Sequence, residues 1–129
     1  MQPMMFTRRS AAALFFAAAL VPLAACAPVT AALDNPLSGT ETTIAVNQTL
    51  QVRLSNVDPT VGAWQYVAAP VTAVTFKDRT VRAPESQGVR QLEMFNFTGA
   101  KAGTDQATFH YVKSSGEVGD EIVVKITVQ

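Results

Sequence analysis

From Glu41 to the C-terminus, apolar residues recur at every second position, the signature of strands that turn one face to a core. Ile44 and Val46 open the pattern and Asn47-Gln48 offers a turn. Leu50, Val52 and Leu54 then resume it, with Gln51 and Arg53 on the other face. Ser55 to Gly62 reads as a loop around Asp58-Pro59, and Trp64 and Tyr66 share one face of the strand that follows. Val74 and Phe76 define a strand running to Lys77, with Thr80–Arg82 as a short continuation and Ala83 to Gly88 as a second loop. Phe95 and Phe97 mark the next strand. Leu92 and Met94 fall on the opposite parity, which predicts a bulge near Met94. After a turn at Ala102-Gly103, Ala107, Phe109 and Tyr111 alternate cleanly, and Lys113 to Asp120 is a polar loop. Ile122, Val124, Ile126 and Val128 close the chain. Outside the N-terminal segment no stretch has a helical period. The pattern predicts an all-β, antiparallel sandwich of about seven strands over residues 41–129.

The N-terminal segment has a different grammar. An apolar run from Ala11 to Leu23 follows Arg8 and Arg9 and is too short to cross a bilayer as a helix. A positive start and a run of that length form a secretion signal. It ends in Leu23-Ala24-Ala25-Cys26, which resembles the bacterial lipobox, and Cys26 is the only cysteine of the chain. The resemblance implies that residues 1–25 are removed, that the Cys26 thiol carries a diacylglyceryl group, and that its new amino terminus is acylated, as by palmitate. An ordinary signal peptide with an incidental cysteine is the competing reading. Residues 26–40 are small and proline-containing, and read as a lipidated N-terminus and tether. Ala27 rather than aspartate after the cysteine implies, by resemblance to known sorting rules, an outer-membrane anchor facing the periplasm. Arg8-Arg9 fits either a plain positive start or a twin-arginine signal, although Ser10 to Phe15 lacks the Phe-Leu-Lys pattern of that route.

Removal of residues 1–25 leaves 104 of the 129 residues, enough for one domain. A domain of that size buries about two thirds of its unfolded surface and needs no disulfide. With Arg8 and Arg9 gone it carries 8 basic and 10 acidic residues, a balance of −2. No basic stripe is present, which argues against nucleic acid as a partner. His110 is the only histidine and alternates with Phe109 and Tyr111, so it faces away from the core. Neither a metal nor another cofactor is expected, because no second histidine or free cysteine is available to build a site. Nor is there a nucleophile-elbow motif, and the reading is of a protein that is not an enzyme.

The order strand, turn, strand, Asp58-Pro59-Thr60-Val61-Gly62 and then Trp64 resembles the chagasin-type inhibitors of papain-like cysteine peptidases. Those are Ig-like sandwiches that present three loops from one end to the enzyme. The first loop carries Asn-Pro-Thr-Thr-Gly before a tryptophan, the second Gly-x-Gly, and the third Arg-Pro followed by an aromatic residue. The resemblance runs from about Thr42 to Val128, and is best from Glu93 to Phe97 and through Ala102-Gly103-Thr104 to Phe109-His110-Tyr111. In the first loop Pro59, Thr60 and Gly62 match. Asp58 stands in place of asparagine, Val61 in place of threonine, and Trp64 comes one residue early. In the second, Gly88 matches and Arg90 stands where the second glycine belongs. In the third, Lys113 keeps the positive charge while Ser114 and Ser115 replace the proline and the aromatic.

The resemblance implies a monomer that blocks a papain-like peptidase with Asp58, Pro59, Thr60, Val61, Gly62, Gly88, Arg90 and Lys113 on its contact loops. A loop that wedges into a cleft must be stiff, or the cost of ordering it consumes the contact energy. Proline fixes φ at Pro59, and Gly62 is expected to supply a backbone turn closed to other residues. Thr60 offers a small hydroxyl to a reactive thiol. The absent third-loop aromatic is the type of residue that anchors an interface. The alternative is an Ig-like envelope lipoprotein that kept the fold and acts as a binding or scaffold module. Trp64 itself is expected in the core, since sandwiches commonly bury one tryptophan between their sheets.

Overall fold

The structure, a computed structural model, describes residues 30–84 and 90–129. Cys26 and the signal lie outside the described residues, as does Gly88. Eight strands follow in chain order: β1 Ala31–Asp34, β2 Thr40–Ile44, β3 Thr49–Asn56, β4 Gly62–Val67, β5 Val74–Arg82, β6 Gln91–Gly99, β7 Gly103–Lys113 and β8 Val118–Val128. They form two four-stranded sheets, ordered β1-β3-β6-β5 and β2-β8-β7-β4. The alternation in the sequence sorts directly into faces. Leu50, Val52 and Leu54 of β3, Phe95 and Phe97 of β6, Phe109 of β7 and Val124 and Ile126 of β8 are all buried between the sheets. Phe109 is the hinge of the aromatic core, with its ring centroid 5.0 Å from that of Phe95 and 6.1 Å from that of Phe97. Trp64 is buried as expected, and its indole Nε1 donates to the Ser55 carbonyl at 3.2 Å.

Four expectations need correction. Residues 31–34, assigned to the tether, form β1, which runs parallel to β3 from Ala31 beside Leu50 to Asp34 beside Arg53. The segment is short and small, so its apolar signal is faint. Ala31 and Leu33 nevertheless pack on the core and the backbone pairs with β3. The sandwich therefore has eight strands and is not wholly antiparallel, because β2 also runs parallel to β8. Val46 does not extend β2 but sits 40% exposed in the turn, where Asn47 has a positive φ of 70°. Finally, β6 pairs with β3 in unbroken register and has no bulge near Met94. The irregularity lies in β5, between Phe76 and Asp78. Leu92 and Met94 face outward because Glu93, fully buried, occupies the inward position two residues before Phe95.

The third loop is also tighter than its composition suggested. The β7–β8 hairpin turns within residues 114–117, closed by the Lys113 amide donating to the Glu117 carbonyl at 2.8 Å. Gly116 takes a φ of 94° there, a conformation that favours glycine.

Candidate functional site

Strand direction places the loops. Asn56, the last residue of β3, pairs with Gln91, and Arg82, the last of β5, pairs with Leu92. In the other sheet Gly62, the first residue of β4, pairs with Lys113, the last of β7. The β3–β4 loop, the roots of the β5–β6 connection and the β7–β8 hairpin therefore share one pole of the sandwich. Arg90 lies exposed at the second root, next to Gln91, and Lys113 at the third. Ala31, beside Leu50, begins at the opposite pole.

The first loop is a hydrogen-bonded turn. The Val61 amide donates to the Asp58 carbonyl at 3.0 Å, which puts Pro59 and Thr60 at the two central positions. Aspartate before proline suits such a turn, since the carboxylate accepts from the backbone two residues on. Here Asp58 Oδ1 accepts from the Thr60 amide at 3.0 Å and from the Thr60 hydroxyl at 2.5 Å. The Thr60 hydroxyl is thus turned inward on its own loop, and its proton is committed to Asp58. These bonds, the side-chain one first, hold the fully exposed Asp58 carboxyl below the ordinary aspartate value of 3.8. The stabilisation they lend is present above 3.8 and is lost as the pH falls through the folded value. The turn is therefore intact at neutral pH.

Gly62 serves a different purpose from the one expected. Its φ is not among the positive ones. A Cβ there would stand 2.6 Å from the Val112 carbonyl oxygen and 3.0 Å from the Tyr111 ring. Glycine is needed because β4 and β7 approach so closely at the loop root. Gly62→Ala is expected to destabilise the fold by about 1–3 kcal/mol through overpacking, read as a lower urea midpoint with an unchanged slope.

Between the first loop and the third hairpin lies an open groove of about 380 Å³, lined by Val57, Asp58, Val61, Trp64, Tyr111 and Lys113 among others. Val57 and Val61 flank the turn and are 69% and 44% exposed, so the pole presents apolar surface around the anionic Asp58, with Asp120 on the hairpin side of the groove. Beneath it sits a buried polar cluster that the alternation of apolar residues does not reveal. Glu93 Oε2 accepts from Asn56 Nδ2 at 2.9 Å and from the Trp64 amide at 3.1 Å, and Oε1 accepts from Arg79. Strict period-two counting back from Phe97 and Phe95 lands on Glu93, which was the available signal. His110 lies elsewhere, on the outward face of its strand, with Nε2 2.8 Å from a Glu121 carboxylate oxygen.

This fold is shared with solved structures of cysteine protease inhibitors. The chain is similar to the cysteine protease inhibitor EhICP2 of Entamoeba histolytica, with 14% identity, a TM-score of 0.62, and coverage of 78% of this chain and 95% of that one. It is similar to amebosin at 20% identity and a TM-score of 0.57, over 80% of this chain and all of that one. A third similar structure is PbICP-C in complex with falcipain-2, at 14% identity and a TM-score of 0.50, over 77% and 99% of the two chains. The chain thus has the sandwich that its sequence pattern predicted and the chagasin-like fold that the resemblance implied. No protein-family model and no curated protein matches it.

Proposed function

We propose that this protein is an inhibitor of papain-like cysteine peptidases that blocks the active-site cleft with the loop pole of its sandwich, and that a lipid on Cys26 tethers it to a membrane. The observation that carries the reading is the convergence of three loop roots at one pole of a fold shared with cysteine protease inhibitors. One of those structures is bound to falcipain-2, a papain-like cysteine protease. The chemistry at the pole supports it. A turn stiffened by proline and closed by three hydrogen bonds loses little entropy on docking. Exposed Val57 and Val61 supply apolar contact around it. The anionic Asp58 and the cations Arg90 and Lys113 at the other two roots supply charge for orientation.

The anchor reading agrees with the polarity of the domain. β1 enters at the pole opposite the loops. An eight-residue strand such as β3 is roughly 25 Å long. Cys26 is five residues before Ala31, a reach of about 18 Å at most. In this arrangement a lipid on Cys26 leaves the loops pointing away from an outer membrane and into the periplasm.

The experiment is a titration of residues 27–129, which hold all eight strands, against papain and a cathepsin-like enzyme. Inhibition is expected to be reversible, to compete with substrate, and to leave the inhibitor uncut after long incubation. A specific contact needs about 800 Å² per partner, so at least two loops must engage. Pro59→Gly is expected to weaken inhibition more than Thr60→Ala, since the Thr60 hydroxyl already spends its proton within the loop. If several such enzymes are not slowed at about 10 μM, where a binding energy of some 7 kcal/mol would register, the scaffold function takes the place of inhibition. Ser114 and Ser115, small residues where an anchor is absent, are the feature that would then account for the loss.

A further inference from the structure

We infer that the first loop and the third hairpin form one preorganised recognition element, with Asn56 as its hub and the Tyr111 hydroxyl as the positioning group that joins the two. The consequence for binding rests on the inhibitor reading; the structural content does not. Asn56 is 1% exposed and uses its whole hydrogen-bonding capacity. Its Nδ2 donates to the Gly62 carbonyl and to Glu93, each at 2.9 Å. Its Oδ1 accepts from the Asp58 amide and from the Tyr111 hydroxyl, each at 3.2 Å. Both ends of the first loop, Asp58 and Gly62, are therefore tied to one amide group. Only an amide serves, because a carboxylate here would have no N–H for the Gly62 carbonyl and would oppose Glu93.

Tyr111 brings in the hairpin. It lies on β7 two residues before Lys113, and its hydroxyl reaches the Asp58 carbonyl at 3.3 Å as well as Asn56. One proton is shared between an acceptor in the hub and one in the turn. The Tyr111 ring is held edge-on to Trp64, with centroids 5.4 Å apart. A second tie closes the arrangement, for the Ser114 amide donates to the Val61 carbonyl at 2.7 Å. Two connections that could move independently are thereby locked into one shape before any partner arrives. A pole without an aromatic anchor depends on this, since preorganisation lowers the ordering cost that an anchor would otherwise have to outweigh.

Tyr111→Phe keeps the ring and removes only the hydroxyl. In the chain from residue 27, hydrogen exchange by NMR should show the Val61 and Ser114 amides accelerating together, by about tenfold or more, with Val124 in β8 unchanged. A variant that merely weakened the fold would accelerate all three. Ser114→Pro, which deletes the second tie at its donor, should accelerate Val61 while sparing Val124. Against papain, Tyr111→Phe should raise the inhibition constant at least about fivefold, through the ordering cost returned to the free loops. Acceleration of Val61 without Ser114, or of neither, overturns the inference. If the wild-type protein does not inhibit papain, the proposed function fails, and the exchange measurement still decides whether the two loops are one element.

Discussion

Glu93→Ala is expected to destabilise the fold by about 2–5 kcal/mol, although it removes a charged residue from an apolar core. The carboxylate is fully buried and serves three donors on three strands: Arg79 of β5, Asn56 of β3 and the Trp64 amide of β4. Arg79 keeps access to water and lies over the Phe95 ring at 5.8 Å, so its charge can be solvated when the partner is lost. The Trp64 amide and one Asn56 N–H cannot follow it out. Each is left as an unsatisfied buried donor, at about 1–3 kcal/mol apiece. Glu93→Gln should lie between the two, because both carboxylate oxygens face donors and an amide nitrogen at either position meets another N–H. Urea unfolding of the purified domain measures the series. A change below about 1 kcal/mol for Glu93→Ala would show that the cluster is solvated and does not organise the loop root.

The same residue shows where sequence reading reaches its limit. Alternation alone placed Leu50, Val52, Leu54, Phe95, Phe97, Phe109, Val124 and Ile126 in the core, because a half-buried strand exposes every second residue. At Leu92 and Met94 hydrophobicity conflicts with the period and suggests a bulge that the unbroken β3–β6 register does not contain. Period outweighs polarity when a buried charge finds partners, and those partners come from strands distant in sequence. Asn56 is 37 residues from Glu93 and Tyr111 is 55 from Asn56, separations that no local pattern encodes. β1 is hidden for the opposite reason. Four residues with two small apolar side chains gain their order from pairing with β3 rather than from their own pattern.

At the candidate site, the residue types were legible and their purposes only partly so. Asp58-Pro59 was read as a turn and is one. That Asp58 would capture the Thr60 hydroxyl depends on a side-chain geometry that the sequence does not carry. The substitution of aspartate for the usual asparagine thus has a physical consequence. A neutral amide oxygen could accept the same bonds, but the carboxylate accepts them more strongly and adds a charge to the tip. At Gly62 the constraint is the Val112 carbonyl of a neighbouring strand rather than the glycine's own φ, a close approach that the sequence does not encode.

Cys26→Ala is expected to have the largest effect of any single change, because it is all-or-none. The thiol forms the thioether to the lipid, and alanine offers no nucleophile, so acylation should cease and the precursor should stay uncleaved by the lipoprotein-specific peptidase. Metabolic labelling with palmitate reads this directly, and label persisting in the mutant would sink the lipid anchor. The fold should not notice, since every strand among the described residues lies beyond residue 30 and the chain holds no second cysteine with which Cys26 could pair. Reducing agent should accordingly leave the melting temperature unchanged. The wild-type chain should fractionate with the outer membrane, and recovery mainly with the inner membrane would contradict the sorting implied by Ala27. Attachment at the pole opposite the loops carries a quantitative corollary. The vesicle-bound protein should inhibit a soluble papain-like enzyme within about threefold of the released domain, because roughly 25 Å of sandwich separates the bilayer from the contact. Strong protection of the enzyme on vesicles would mean that the domain lies with its loop pole against the lipid, and that the tether does not hold it upright.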